Sequence, residues 1–185
     1  MFSKILQRSL IVFLLFLVNG AVNASEQYLL NAGDVLDISV WNEDTLQKQV
    51  IILPDGTISF PLAGQLEAQG KSVNDVQTAL KERLKEYLSD PVVTVSVVNV
   101  GGNTVHIMGK VTTPGSFVMS QEIDAMQALS LAGGLSPYAE ENNIIVLRRN
   151  GTKQQVLPIR YGAIKKGRDL NTNIILKSGD VLIVP

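Results

Sequence analysis

From Tyr28 onward, short apolar runs alternate with turns built from Gly, Pro, Asn and Asp, and this spacing is typical of short β-strands. β-Branched and aromatic residues fill the run VLDISVW at 35–41, and a similar run occupies 91–100. Only the stretch 71–88 has a long helical period, with one face apolar and the other carrying Lys and Glu. The pattern therefore predicts an α+β fold with more strand than helix.

The turns and caps place the boundaries of these elements. Asp55-Gly56 predicts a two-residue hairpin between a strand at 48–54 and a return strand at 57–60. Ser72 and Asp75 form a possible capping box at the start of the long helix, and the residue before Pro91 is expected to end it. Gly101-Gly102-Asn103 is the best candidate for a boundary between two halves.

The second half shows the same pattern of strands, turns and one helix. A strand is expected at 104–111, and a short helix is expected to begin near Asp124 and to close at Gly133-Gly134. Asn150-Gly151 predicts a second hairpin with positive φ, and a last strand follows at 181–184.

The N-terminal residues have the layout of a secretory signal. Lys4 and Arg8 precede the uncharged apolar run 10–18, which is shorter than the roughly 20 residues of a spanning helix. Small residues then lead to an expected cleavage between Ala24 and Ser25. A retained N-terminal anchor is the alternative. The chain has no cysteine, so neither disulfides nor a cysteine-linked lipid are expected.

Charge is distributed unevenly along the expected mature chain. Residues 25–143 contain 15 acidic and 6 basic residues, whereas residues 144–185 contain 2 acidic and 8 basic ones. Such an asymmetry suits attraction between copies or a patch for an anionic ligand, although solvated loops explain it equally well.

We find no catalytic, metal or cofactor motif in the sequence. His106 is the only histidine and lies in an apolar strand, where a satisfied or half-exposed strand residue is the simpler interpretation. Carboxylates such as Asp34, Asp55 and Asp75 have explanations as turn or cap residues. The mildly acidic chain also lacks the basic, aromatic-rich pattern of nucleic-acid binding, so no nucleic-acid partner and no enzyme activity are expected.

Several segments together resemble the bacterial outer-membrane polysaccharide export proteins, which join a polysaccharide export domain to a soluble-ligand-binding β-grasp (SLBB) domain. In the first half the similar segments are YLLNAGDVLDISVW, LPDGTISFPLAGQLEAQGKSVNDVQTAL and DPVVTVSV. In the second half they are VHIMGKVTTPGSFVM, ALSLAGGLSPYA and SGDVLIVP. The resemblance implies an export domain of hairpin strands and one amphipathic helix at 25–100, and an SLBB β-grasp domain at 101–185.

The resemblance also implies a function. Proteins of this family are ring-forming oligomers, not enzymes, and they pass capsular polysaccharide or exopolysaccharide toward the outer membrane. We expect a periplasmic protein, peripherally associated with the outer membrane, that uses no cofactor. Its expected partners are further copies of itself, the polysaccharide, a separate outer-membrane β-barrel and an inner-membrane chain-length regulator. Longer members carry a lipidated cysteine and a C-terminal membrane helix, and neither feature is found in this sequence, so a short form is expected.

Candidate contact residues for polysaccharide or a neighbouring subunit lie in loops and near the basic C-terminal end. They are Asp55, Gly56, Arg148, Arg149, Lys165, Lys166 and Arg168.

Two other functions stay open at this point. The chain could be a periplasmic β-grasp module that binds a small soluble ligand or sugar without an export role, which a concave pocket would favour. It could also be a polysaccharide lyase or hydrolase, which a close carboxylate pair in a cleft would favour.

The word Gly-Asp-Val-Leu occurs at both ends of the expected mature chain, at residues 33–36 and 179–182. Each copy is interpreted as a turn followed by the start of a strand, with no chemical role for Asp34 or Asp180. We further expect the strand at 35–41 to leave its own half and join the β-grasp sheet beside the strand at 181–184.

Overall fold

The computed structural model describes residues 27–185, so the expected signal segment and the cleavage between Ala24 and Ser25 lie outside the described residues. The described chain is α+β, as the sequence pattern predicts. Its strands are β1 (Val35–Val40), β2 (Lys48–Ile51), β3 (Thr57–Phe60), β4 (Gly64–Glu67), β5 (Val93–Asn99), β6 (Thr104–Gly109), β7 (Gly115–Val118), β8 (Ile144–Asn150), β9 (Lys153–Ile159) and β10 (Val181–Val184). Its helices are α1 (Val73–Leu84), α2 (Ala125–Leu131) and α3 (Tyr161–Ile164).

These elements pack around two separate hydrophobic cores. One core uses buried residues between Leu30 and Val95, and the other uses buried residues between Val105 and Val184. We refer to residues 27–100 as the first unit and to residues 101–185 as the second unit. Gly101-Gly102-Asn103 lies where the chain passes from the first core to the second.

The first unit is a three-stranded antiparallel sheet in the order β2-β1-β5, with α1 packed against β5. Strand β1 alternates between buried Leu36, Ile38 and Val40 and the half-buried positions between them. Because side chains of a strand point alternately to the two faces, every second residue of β1 reaches the core. Strands β3 and β4 form a separate hairpin.

The capping box predicted for the long helix is present. The hydroxyl of Ser72 accepts a 3.2 Å hydrogen bond from the Asp75 amide, and the Asp75 carboxylate accepts a 3.0 Å bond from the Ser72 amide. Val76, Leu80 and Leu84 are buried at intervals of four residues, as one face of a helix requires. The helix ends at Leu84, earlier than residue 88, and Pro91 therefore does not set its end.

The second unit is a five-stranded sheet in the order β7-β6-β10-β8-β9. Its last strand, β10, lies in the centre, parallel to β6 and antiparallel to β8. Helix α2 begins after Asp124, whose side chain caps it, and its buried residues belong to the second core. Gly133 and Gly134 follow α2 with positive φ, as expected for the end of a helix.

The two predicted hairpin turns differ from the expectation. At Asp55-Gly56 the turn is longer than two residues, because the Gly56 amide bonds to the Leu53 carbonyl and only Gly56 has positive φ. The return strand β3 then pairs with β4 and not with β2. The later turn consists of Gly151-Thr152, since Asn150 pairs with Lys153 and only Gly151 has positive φ.

The expectation that strand 35–41 joins the second sheet is wrong. Strand β1 lies between β2 and β5, whereas β10 lies between β6 and β8. The reason is hydrophobic packing, because the buried side chains of β1 complete the first core together with those of α1 and β5. Moving β1 to the other sheet would leave both its own side chains and those of α1 without partners.

Candidate functional site

The two copies of Gly-Asp-Val-Leu form the same local structure. In each copy the Asp amide bonds to the carbonyl three residues earlier, at 3.1 Å, and the Asp carboxylate accepts a bond from the amide of that same residue. The third residue of each turn is a glycine with positive φ, Gly33 and Gly179. Each aspartate points inward, on the same side of its strand as the buried leucine two residues later.

Both aspartates are fully buried, although the sequence interpretation treats them only as polar turn residues. Asp34 is 0% and Asp180 is 1% exposed. A buried carboxylate costs free energy unless it is paired or hydrogen-bonded, so its partners determine whether the fold tolerates it. The two carboxylates find different partners.

Asp34 is surrounded by neutral donors. It accepts hydrogen bonds from the Tyr28 hydroxyl at 2.7 Å, the Asn31 amide at 2.8 Å and the Gly102 amide at 3.0 Å. Burial, together with the hydrogen bond to Asp34, raises the pKa of Tyr28, so this hydroxyl keeps its proton and remains a donor. Asp34 thereby ties the start of β1 to Gly102, near the beginning of the second unit.

Asp180 is paired with an arginine. The Arg148 guanidinium donates to both carboxylate oxygens, with Nε at 3.0 Å and an Nη atom at 2.7 Å, and also to the Ile175 carbonyl at 2.9 Å. This hydrogen-bonded pairing raises the pKa of Arg148. The arginine side chain is only 15% exposed, and its three hydrogen bonds all lie inside the second unit.

The two turns converge on Gly102. Its amide binds Asp34 of the first turn, and its carbonyl accepts a 2.8 Å hydrogen bond from the Ser178 hydroxyl of the second turn. A Cβ atom on Gly102 would overlap the Ala32 carbonyl, so no larger residue fits between the turns without a backbone shift. The repeated word therefore marks the two ends of one junction between the units.

A hollow lies beside this junction on the outer face of the second sheet. It has a volume of about 570 Å³, and its lining includes His106, Leu147, Val181, Arg149, Gln154 and Ser178. The first three residues are aligned across neighbouring strands, since Val181 pairs with both His106 and Leu147. Apolar and polar side chains thus share one open depression.

The candidate contact residues do not form one cluster. Arg148 and Arg149 are adjacent in sequence, but they point to opposite faces of the sheet, as successive strand residues must. Both line the hollow, but Arg148 is committed to Asp180, whereas Arg149 is exposed and forms no salt bridge with any residue of 27–185. Only Arg149 is thus available as an outward contact of this pair.

The other predicted contacts lie on exposed loops. Asp55 is exposed, and the Thr57 hydroxyl and amide bond to its carboxylate at 2.7 and 3.0 Å, which lowers the pKa of Asp55. Gly56 completes that turn. Lys165 contacts Glu141 at 3.3 Å and lies 5.2 Å from the centre of the Tyr161 ring. Lys166 and Arg168 are exposed in the segment after α3.

His106 is an exposed strand residue whose Nδ1 lies 2.7 Å from the Ser116 hydroxyl, as the simpler interpretation of this residue predicts. Within residues 27–185, no group of three metal-ligating side chains is assembled, and every buried side-chain nitrogen or oxygen has a hydrogen-bond partner. No helix of this part of the chain is long and apolar enough to cross a bilayer.

The sequence interpretation missed the exposure of Trp41 and the hydrogen bond of Ser178. Trp41 is 80% exposed at the end of β1, although it was expected to be part of an apolar strand. Ser178 bonds to the carbonyl of Gly102, 76 positions earlier in the chain. The repeated word and the Gly101-Gly102-Asn103 boundary were the sequence signals for the junction.

Comparison with known proteins matches both units. The model of the polysaccharide biosynthesis/export protein family matches residues 22–98, and an SLBB domain model matches residues 103–184. The EPS I polysaccharide export outer membrane protein EpsA of Ralstonia nicotianae is 29% identical over 85% of this chain and 47% of its own length.

Two further relatives share this similarity. The capsule polysaccharide export outer membrane protein CtrA of Neisseria meningitidis is 26% identical over 83% of this chain and 43% of its own. The polysialic acid transport protein KpsD of Escherichia coli is 26% identical over 74% of this chain and 25% of its own. The chain spans about half the length of the first of these relatives, EpsA, and less of the other two.

Proposed function

Because this chain belongs to the family of bacterial polysaccharide export proteins, with an export domain followed by an SLBB domain, we propose that it is a component of a machinery exporting capsular polysaccharide or exopolysaccharide. The proposal rests on the order of the two domain matches, an export domain and then an SLBB domain, which together cover nearly all the described residues. The relatives that align with both units are named as export proteins, not as enzymes.

The protein acts as a structural element of a conduit in this proposal. Copies of the chain form or complete an oligomeric ring in the periplasm, peripherally associated with the outer membrane, through which the polymer passes. The junction at Gly102 supports this role, because the Gly102 amide of the second unit binds Asp34 of the first unit, and Ser178 holds the Gly102 carbonyl in place within the second unit. A ring subunit needs such a defined orientation, since small angular errors accumulate around a closed ring.

The partners follow from the same proposal. The subunit contacts further copies of itself, an outer-membrane component, an inner-membrane chain-length regulator and the polysaccharide. The exposed Arg149, Lys166 and Arg168 would make weak, repeated contacts with the passing polymer or with a neighbouring subunit.

Deletion of the gene in its native bacterium tests the proposal. We expect surface and secreted polysaccharide to fall while polymer accumulates inside the cell, and a plasmid copy to restore export. Unchanged secretion would refute the export role, and loss of polymer without accumulation would indicate a role in synthesis instead. A plasmid copy carrying Gly115→Ala is the control for complementation and should restore export like the wild type. The added Cβ would have only Phe117 within 4 Å, at 3.9 Å, so this substitution should not disturb the fold.

A further inference from the structure

The outer faces of the two sheets differ in chemistry. The outward face of the first sheet is mostly polar, although Ile51 and Val98 are exposed there, whereas the outward face of the second sheet has a large apolar group beside the polar His106, Ser116, Arg149 and Gln154. The polar residues of the first face are Asp37, Ser39, Gln49, Thr94 and Ser96, and the apolar group of the second face is Met108, Ile145, Leu147, Val156, Val181 and Ile183. A sheet face in contact with water normally carries polar residues, so the first face is typical and the second is not.

This apolar face is open within the described chain. Met108 and Val156 are 51% and 57% exposed, and the hollow with its Leu147 and Val181 lining opens on the same face. A continuous apolar surface of this kind on a soluble unit marks an interaction site.

The edge of the face carries positive charge. Arg149 lines the hollow, and Lys153 is exposed at the same end of the β8–β9 hairpin, where it pairs with Asn150. The second unit has 9 basic and 6 acidic residues, a net charge of +3. A partner for this face therefore combines an apolar anchor with negative charge.

The first unit presents such a combination. Trp41 is 80% exposed on the turn after β1, and Glu43 and Asp44 follow two and three residues later. The backbone there is held in an unusual conformation, since Asn42 has a φ of 62°. The first unit has 10 acidic and 5 basic residues, a net charge of −5. Tryptophan and arginine are also the residues that most often dominate the binding energy of an interface.

The two surfaces lie far apart in one molecule. Strand β1 begins next to the Asp34 junction and ends at Val40, immediately before Trp41, and its six residues span about 20 Å. The hollow lies at the junction end, because Ser178 both lines it and bonds to Gly102. Trp41 thus meets a hollow only in a second copy of the chain. Such a contact joins two different surfaces, and contacts of this type generate rings or filaments.

We propose that Trp41 of one copy, flanked by Glu43 and Asp44, inserts into the hollow on the apolar sheet face of the next copy, beside Arg149. The contact rests on the proposed oligomeric conduit and names the two surfaces that build it. Apolar burial supplies the attraction, and the charged pairs set the direction of assembly.

Cross-linking of the full chain tests the contact, because the absence of native cysteines makes engineered ones specific. We expect Asp44→Cys with Gln154→Cys, treated with a short bismaleimide in cells, to give a ladder of covalent oligomers. Both positions are exposed. The matched control combines Glu67→Cys, instead of Asp44→Cys, with Gln154→Cys. Glu67 lies on the same unit and its native side chain is 81% exposed, but this pair is expected to give no ladder.

Charge reversal tests the orientation. Asp44→Lys and Arg149→Glu should each weaken self-association at least about tenfold, and the double variant should recover most of that loss. Trp41→Ala should weaken it by a similar or larger factor. Tyr138→Ala is the matched aromatic control, because Tyr138 is 84% exposed but lies on neither surface, and it should leave association unchanged. Light scattering of the purified oligomer provides the measurement.

The outcomes separate this contact from the proposed function. If export and oligomer formation persist while the ladder and the charge rescue are missing, the contact is wrong and the conduit stands. If the wild-type chain exports polymer but forms no oligomer in cells, the conduit and the contact both fail. If the ladder forms although deletion of the gene leaves secretion unchanged, the contact stands and the export role fails.

Discussion

The backbone amide of Gly102 donates a 3.0 Å hydrogen bond to the buried carboxylate of Asp34, across 68 residues of sequence. This bond joins the first strand of one unit to the first residues of the other. The Gly102 carbonyl is held in turn by Ser178, next to the second buried aspartate. The relative position of the units therefore depends on backbone groups that a side chain at position 102 would displace.

Asp34→Ala is expected to destabilise the protein by about 3 kcal/mol, because it leaves buried donors on Tyr28, Asn31 and Gly102 without their acceptor. Urea denaturation monitored by circular dichroism measures the change. Asp37→Ala, on the outer face of the same strand, should change stability by less than about 0.5 kcal/mol. Equal effects of the two substitutions would contradict the role of Asp34.

Gly102→Ala is expected to shift or loosen the junction, since its Cβ atom would overlap the Ala32 carbonyl. We expect a lower melting temperature and faster amide hydrogen exchange at Asn31 and Gly33. Gly115→Ala is the matched control, because its Cβ would lie 3.9 Å from Phe117 and its φ is not positive. A Gly102→Ala protein as stable as this control would show that the close approach is unimportant.

Arg148→Ala and Arg149→Ala should differ sharply in their effects on the stability of the fold, although the two residues are neighbours in sequence. Loss of Arg148 leaves the buried Asp180 without its cation and is expected to cost about 3 kcal/mol or more. Loss of the exposed Arg149 should leave thermal unfolding unchanged and weaken only self-association. Calorimetry and light scattering on the same samples separate the two effects. Similar melting temperatures for both variants would contradict the assignment.

The capping box predicts a specific dependence on pH. Hydrogen bonds from Ser72 lower the pKa of Asp75 in the folded chain, so the unfolded chain binds its proton first as the pH falls. The contribution is complete above the ordinary carboxyl pKa of about 4 and disappears as the pH falls through the lowered folded value. Asp75→Asn should therefore be less stable than wild type at neutral pH, and the difference should shrink below about pH 4. Urea midpoints measured from pH 7 to pH 2 test this, and a constant difference would contradict it.

Local signals in the sequence predicted much of the fold. The caps at Ser72 and Asp124 depend on side chains within three residues of one another, so they could be predicted directly. The two hairpin turns were located but not described correctly, because turn length depends on which carbonyl the next amide reaches. The early end of α1 was missed, although Pro91 lies only a few residues beyond it.

The candidate site could be predicted only in part. The basic residues near the C-terminal end were visible as charges, but charge does not show that Arg148 points inward and Arg149 outward. The burial of Asp34 and Asp180 was not visible either, because a Gly-Asp turn has the same local pattern at a surface and at a junction. Exposure of Trp41 depends on where β1 ends and on what the next residues contact.

Local sequence patterns were enough to predict the types and approximate places of the strands and helices, the break at Gly101-Gly102 and the resemblance to the family. These properties follow from local periodicity, turn residues and short-range capping, which act within a few residues. Only the folded structure shows which sheet contains β1, which arginine is buried and why the same word occurs near both ends of the described chain. Those outcomes depend on long-range packing and hydrogen bonding, because Asp34, Gly102 and Ser178 come together only when both cores have formed.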